Sequence, residues 1–193
     1  MQSVDKTLFF WINDLAGHVP IIDRFMRLVG NDYFILTGMA LVVFTLWFSG
    51  RDPEHRERNQ RAVWCALIGV GFACAVVAIC NAFYDRPRPF DRYEVELLFY
   101  RPTDPSFPSN TAATAFAFAS GIWLGNRTVG WLLLLPAFLA SFARVFIGVH
   151  YPFDILGGAL AGISASLGAL LVLRIFEPFP TWVLKTMRKL YLA

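Results

Sequence analysis

Three short polar clusters interrupt an otherwise apolar chain, and each carries residues suited to handling phosphate. The first is Asp85-Arg86-Pro87-Arg88-Pro89-Phe90, and the second is Pro105-Ser106-Phe107-Pro108-Ser109-Asn110-Thr111. The third places Arg144, His150 and Asp154 at intervals of six and four residues. Arg88 and Arg144 offer planar guanidinium forks that match phosphate oxygens. Ser109 stands where a helix N-cap belongs, and the backbone N–H groups of Asn110, Thr111 and Ala112 would form an anion-binding helix start. Pro152 suits a first helical position. Asp154 would then fall in the first turn, close enough to hold one ring nitrogen of His150 and leave the other free to attack phosphorus. The chemistry this set suits is phosphoryl transfer with His150 as nucleophile.

Each residue alone has a plainer reading. Ser109 could simply cap a helix, Asp154 could be a favourable first-turn acid, and either arginine could anchor the chain at an interface. The conjunction carries the argument. Ionisable groups at membrane depth are costly and tend to be functional, and here they converge from separate segments.

The elements that must position them are membrane helices. Of 193 residues, 56% are hydrophobic and only 16% are charged, against about 25% in soluble domains. The mean hydropathy is +0.52. This excludes a disordered chain, a basic nucleic-acid-binding domain and an ordinary cytosolic enzyme. A bilayer span needs about 20 apolar residues, with a range of about 17–25. Tyr33 to Phe48, Ala62 to Tyr84, Gly130 to Val149 and Phe153 to Leu173 meet or approach that length, and the shorter Thr111 to Leu124 is extended by its Ser109 cap. The expected fold class is an all-α integral membrane protein with five to six transmembrane helices. In residues 1–30, Leu8, Phe9, Trp11, Ile12 and Leu15 mix with Asp5, Asn13, Asp14, Asp23, Arg24 and Arg27. That segment is expected to lie in the interface as an amphipathic stretch, with a sixth, imperfect span as the alternative.

The expected organisation is a single domain over 1–193: the interfacial segment 1–30, a helical core 31–175 and a cytoplasmic tail 176–193. Short cytoplasmic loops are enriched in Lys and Arg. Arg51, Arg56, Arg58 and Arg61 precede the second span, and Lys185, Arg188 and Lys189 follow the last. With five spans these lie on one side together with Arg127, and the three polar clusters face the other. Arg86, Arg88, Arg92 and Arg101 on that outer side run against the rule, and anion binding accounts for them. Cys65, Cys74 and Cys80 form no CxxC pair and have no histidine nearby, so they read as packing residues rather than metal ligands. Gly158 and Gly162, followed by Ser166, have the spacing of a close helix contact, read as intramolecular packing.

The third cluster, Ser141-Phe142-Ala143-Arg144-Val145-Phe146-Ile147-Gly148-Val149-His150-Tyr151-Pro152-Phe153-Asp154, resembles the third motif of the type 2 phosphatidic acid phosphatase superfamily, membrane branch, with a one-step change in the serine spacing. Arg88-Pro89 resembles its first motif and Pro108-Ser109 its second. The resemblance is strong from about Asn81 to Gly158, and the Arg-Pro-Arg-Pro-Phe wording is most similar to bacterial undecaprenyl-diphosphatases of the bacitracin-resistance type. It implies a lipid phosphatase acting on an isoprenoid or phospholipid phosphate through a phosphohistidine, with no metal and no cofactor. His150 would be the nucleophile and Asp154 its orienting partner, with Arg88, Ser109, Asn110 and Arg144 binding phosphate. It further implies a multi-pass protein of the bacterial inner membrane whose site faces the periplasm or exterior, with membrane lipid and no nucleic acid among its partners.

Two positions depart from the family pattern. The first-motif lysine is Asn81, a loss that Arg86, Arg92 or Arg101 could offset, and the second-motif histidine is Thr111. That histidine is the family's general acid, and threonine cannot protonate a leaving group at neutral pH. The consequence depends on what leaves. A monophosphate ester expels an alkoxide, whose conjugate acid resembles water with a pKa near ~15.7. A diphosphate expels a phosphate monoester with a second pKa of about 6. The expectation is therefore activity biased towards diphosphates. A binding or transport protein without turnover, or a lipid phosphotransferase, are the alternatives.

Overall fold

The computed structural model describes residues 2–190, and among these every regular element is helical. The helices are α1 (Gln2–Asn13), α2 (Pro20–Val29), α3 (Phe34–Trp47), α4 (Pro53–Phe83), α5 (Pro89–Arg92), α6 (Asn110–Trp123), α7 (Arg127–Phe146), α8 (Pro152–Ile175) and α9 (Phe179–Lys189). Helices α4, α7 and α8 are long and apolar enough to cross a membrane, and α2 with α3 forms a fourth candidate bent by 50°. The fifth expected span, α6, has 14 residues. At 1.5 Å per residue it reaches only ~21 Å, short of the ~30 Å hydrocarbon thickness.

Small side chains explain how so short a helix is retained. Ala112, Ala113, Ala115, Ala117 and Ala119 are fully buried, and α6 packs on α4, α7 and α8. Gly162 lets α8 approach so closely that an added Cβ would lie 2.3 Å from the Ala113 carbonyl oxygen. Gly158 does the same against the Ser109 carbonyl, at 2.4 Å. The glycine pair is thus an intramolecular seam. Small side chains form the contact, with the Ser166 hydroxyl donating to the Ala117 carbonyl at 3.0 Å, while Leu156, Leu160, Leu167 and Leu171 on α8 stay exposed.

Several boundaries differ from expectation. The second span begins at Pro53 rather than near Ala62, because Asp52 caps it by accepting the His55 N–H at 2.8 Å and Pro53 takes the first position. Arg56, Arg58 and Arg61 therefore ride on a helix rather than in a loop. Part of the tail is also helical: α9 is tied to α4 by Arg188, which reaches Glu57 and Gln60 at 3.2 and 3.1 Å. Of the expected tail, 191–193 lie outside the described residues. The first 30 residues divide in two. Helix α1 is docked against α7 and α8 with Asp5, Phe9 and Asn13 buried, whereas α2 exposes Ile21, Ile22, Phe25 and Leu28. The three cysteines are free, but only Cys65 is buried and Cys74 is exposed.

Candidate active site

The three polar clusters sit at helix ends on one side of the bundle. Arg88 is the residue before α5, Ser109 caps α6, Arg144 is in the last turn of α7, and Asp154 is in the first turn of α8. His150 lies in the connection from α7 to α8, which turns at Gly148 with φ +87°. A side chain is rarely accommodated there, since a Cβ would also meet the Glu96 carbonyl at 2.9 Å. Arg88, Asn110, Thr111, Arg144 and His150 line a cavity of about 490 Å³. Ser109, expected among the phosphate-binding residues, is not one of those that line it; its Oγ accepts the Ala112 N–H at 3.4 Å, so that N–H is spent on the cap.

The histidine is oriented by a backbone carbonyl. His150 Nδ1 lies 2.9 Å from the Ser106 oxygen, an acceptor only, so Nδ1 carries the proton and Nε2 the lone pair. The Asp154 carboxylate stands 3.6 Å from Nδ1, outside hydrogen-bond range, which corrects the expectation of a direct hold. It is otherwise engaged: Oδ1 takes Arg86 at 2.5 Å, and Oδ2 takes the Ser106 hydroxyl at 2.5 Å and the Tyr151 N–H at 2.8 Å. Asp154 thus reaches His150 through Ser106, whose hydroxyl it accepts while the Ser106 carbonyl holds the ring.

Both cavity arginines are 3% exposed. Arg88 Nη1 lies 3.3 Å from His150 Nε2 and 2.9 Å from the Val149 carbonyl. Its Nε and Nη2 face Asp104, at 2.9 Å from the carbonyl and 3.0 Å from the carboxylate. Arg144 Nη1 donates to the Gly30 carbonyl and to Asp32, at 3.0 and 2.8 Å, whereas its Nε is buried without a partner. An unpaired buried guanidinium N–H is costly, and here it belongs to a residue lining the cavity. Tyr100 donates to the second oxygen of Asp32 at 2.6 Å. An apolar groove of about 860 Å³ between α3 and α7 shares Tyr33 and Thr37 with the cavity.

Burial pushes His150 down from 6.5 to about 4; the Arg144 and Arg88 charges push the same way and Asp154 opposes them. Neutral imidazole is therefore the resting form at pH 7, as a nitrogen nucleophile requires. The sign gives a test. Protonation removes the Nε2 lone pair, so any rate that depends on it falls as pH drops through the folded pKa. In a pH series, kcat/KM should hold level from neutrality to about pH 5 and fall only near pH 4, rather than breaking at the ordinary histidine value. Stability follows the same window: the contribution from burying neutral imidazole is present above pH 6.5 and is lost as pH falls towards 4.

The remaining expected residues lie elsewhere. Asn81 has a buried Oδ1 without a partner and does not line the cavity. Arg86 pairs with Asp5 and Asp154, so it does not supply the missing lysine charge to the cavity. Arg92 lines a different cavity, and Arg101 stacks over Phe90. Asp5, Asp32, Tyr100, Asp104 and Ser106 contribute contacts that no spacing in the sequence announces.

A family model described as the PAP2 superfamily matches residues 62–177, more than half of the chain. The chain belongs to the PAP2 superfamily. Undecaprenyl-diphosphatase BcrC of Bacillus subtilis is 26% identical over 156 residues, covering 81% of this chain and 77% of that protein. The crystal structure of Aquifex aeolicus LpxE superposes with a TM-score of 0.67 at 28% identity, over 86% of this chain and 94% of that one. A PAP2-type phosphatidylglycerolphosphate phosphatase from Bacillus subtilis shares the fold, with a TM-score of 0.63 at 19% identity and coverage of 92% and 88%. The PAP2 match runs from within α4 to the end of α8 and includes Arg88, Ser109, Arg144 and His150. It leaves out α1 to α3, which supply Asp5, Asp32 and Tyr33.

Proposed function

We propose that this PAP2 protein hydrolyses the terminal phosphate of an isoprenoid diphosphate of the undecaprenyl type. One observation carries the reading: His150, its Nδ1 held by the Ser106 carbonyl and its Nε2 facing Arg88, lines the same cavity as two buried arginines, one with an unpaired N–H. His150 Nε2 attacks the terminal phosphorus, the bond to the bridging oxygen breaks, and the lipid monophosphate departs with the electron pair. Water then attacks the phosphohistidine, the P–N bond breaks, and inorganic phosphate is released. Arg88 and Arg144 neutralise the charge on the transferring group, and Ser109 and Asn110 place the helix start against it. The α3/α7 groove gives an apolar tail a path that meets the phosphate at Tyr33 and Thr37.

The diphosphate preference rests on Thr111, since a phosphate monoester leaves without a proton donor and an alkoxide does not. Five passes, counting the short α3 and the protein-enclosed α6 with α4, α7 and α8, put Arg56, Arg58, Arg61 and Arg188 on the cytoplasmic side of a bacterial inner membrane and the cavity outside. In this reading residues 1–30 form a cap at the site end, with α2 at the interface, and residues 31–175 form the core. Phosphate release by the purified, detergent-solubilised protein tests the proposal, with undecaprenyl diphosphate, undecaprenyl phosphate and phosphatidic acid offered side by side and no metal added. Release from the diphosphate at least about 10²-fold faster than from either monophosphate is expected. Equal rates would sink the leaving-group argument. No release from any of them would favour a lipid-phosphate-binding protein or a transferase, which the occupied fork of Arg88 also suits.

A further inference from the structure

The first helix carries a buried carboxylate that the phosphatase reading does not use. Asp5 is 2% exposed and lies at the site end of the bundle. Its Oδ1 accepts the Phe153 N–H at 2.9 Å, and its Oδ2 meets Arg86 Nη2 at 2.5 Å. The other arm of the same guanidinium, Nη1, meets Asp154 Oδ1 at 2.5 Å. Arg86 lies over the Tyr151 ring, with Cζ 4.4 Å from its centroid, and its carbonyl accepts the Ser106 N–H at 2.7 Å. Arg86 is thus held at both ends and on its face. Three segments far apart in sequence meet in one ionic chain.

We propose that Asp5 is a positioning residue for His150: through the Arg86 fork it fixes one oxygen of Asp154, which leaves the other for Ser106, whose carbonyl holds the imidazole. The proposal rests on His150 being the nucleophile. An apolar contact would dock α1 at least as well as a buried ion pair. What the fork adds is direction, because a planar guanidinium bridging two carboxylates fixes the rotation of both. Freed from Arg86, Asp154 could turn Oδ1 towards His150 Nδ1, and the ring would lose its present orientation. Burial alone would lower the Arg86 pKa, but the Asp5 hydrogen bond and the charges of both carboxylates outweigh that and hold it above the usual value.

The test compares wild type with Asp5→Asn, Arg86→Gln and the double variant, in detergent and with a lipid diphosphate as substrate. Asp5→Asn keeps the shape and removes the charge. Its kcat should fall by about 10–100-fold, as for other residues that orient a reacting group through a partner, with KM changed less than about twofold. The acid limb of the pH profile should move in opposite directions in the two single variants. His150 is faced by Arg88 before α5, Arg144 of α7 and Asp154 of α8, with Arg86 and Asp5 behind Asp154. Removing Arg86 unmasks Asp154 and raises the limb towards the ordinary histidine range, whereas removing the Asp5 charge leaves Arg86 uncompensated and lowers it. An unchanged kcat in Asp5→Asn, or a fall in kcat with both limbs unmoved, would overturn the proposal and reduce Asp5 to a docking contact. Thermal midpoints of the four proteins read the clamp without turnover: non-additive losses support it and additive losses overturn it. A wild type that turns over no lipid phosphate would instead refute the phosphatase reading, and the midpoints would still decide the clamp.

Discussion

Phosphate release should fall by roughly 10⁴-fold or more in His150→Ala, while the protein still folds and still binds a lipid diphosphate. The reasoning is that the arginines and the nucleophile are separable. Arg88 and Arg144 are held by Val149, Asp104, Gly30 and Asp32, so their forks stay in place without the imidazole. Only the Arg88 contact to Nε2 is lost. Binding energy therefore survives and bond-making does not. Labelling quenched in alkaline detergent separates the alternatives: wild type given terminally labelled diphosphate should carry an acid-labile, alkali-stable phosphoryl group that His150→Ala lacks. A variant that retains turnover would mean that water is activated directly and His150 only helps to bind phosphate.

Thr111→His should have the second large effect, and in the direction of gain. Thr111 lines the cavity with His150 and both arginines, so an imidazole there would lie within the same cavity as the departing oxygen. General acid catalysis contributes about 10²–10⁴-fold when the leaving group needs a proton. Turnover of undecaprenyl phosphate and phosphatidic acid should therefore rise by about 10²-fold or more, while the diphosphate rate changes by less than about tenfold. The ratio of the two rates is the informative quantity, because a general loosening of the site would move both together. Unchanged monophosphate turnover would mean that another group already donates that proton, or that the added imidazole cannot reach the leaving oxygen.

Much of this arrangement is legible in the chain, for a physical reason. Apolar runs long enough for a bilayer leave little choice but helices, and prolines and cap residues mark where they start. Polar residues that break such runs must lie at the ends, which assigns Arg88, Ser109, Arg144, His150 and Asp154 to one face. The partners of those residues were a different matter. Asp32 is a single acid in a short connection and Asp104 a single acid in the long one before α6, and neither belongs to a motif, yet they hold the two arginine forks. Ser106 stands inside a noted cluster, but only its backbone geometry shows that its carbonyl, rather than Asp154, meets His150. Asp5 lies 148 residues before the Phe153 amide that it accepts, and no local pattern reports such a distance. Helix α6 fell below span length because an element enclosed by protein needs alanines to fit between its neighbours, not leucines to face lipid.

The methyl-lined seam between α6 and α8 also fixes which parts of the site can move. With glycine against backbone at Gly158 and Gly162, no long side chain lies between these helices to absorb a displacement, and Ser109 N–H is bonded to the Asp154 carbonyl at 3.0 Å. Ser109 and Asp154 therefore travel as one rigid body. Arg88 stands before α5, and Arg144 is secured to the Gly30 and Asp32 segment between α2 and α3. Any tightening around a phosphoryl group would therefore fall to the arginine side chains and their outer partners Asp32 and Asp104, which are not part of that body.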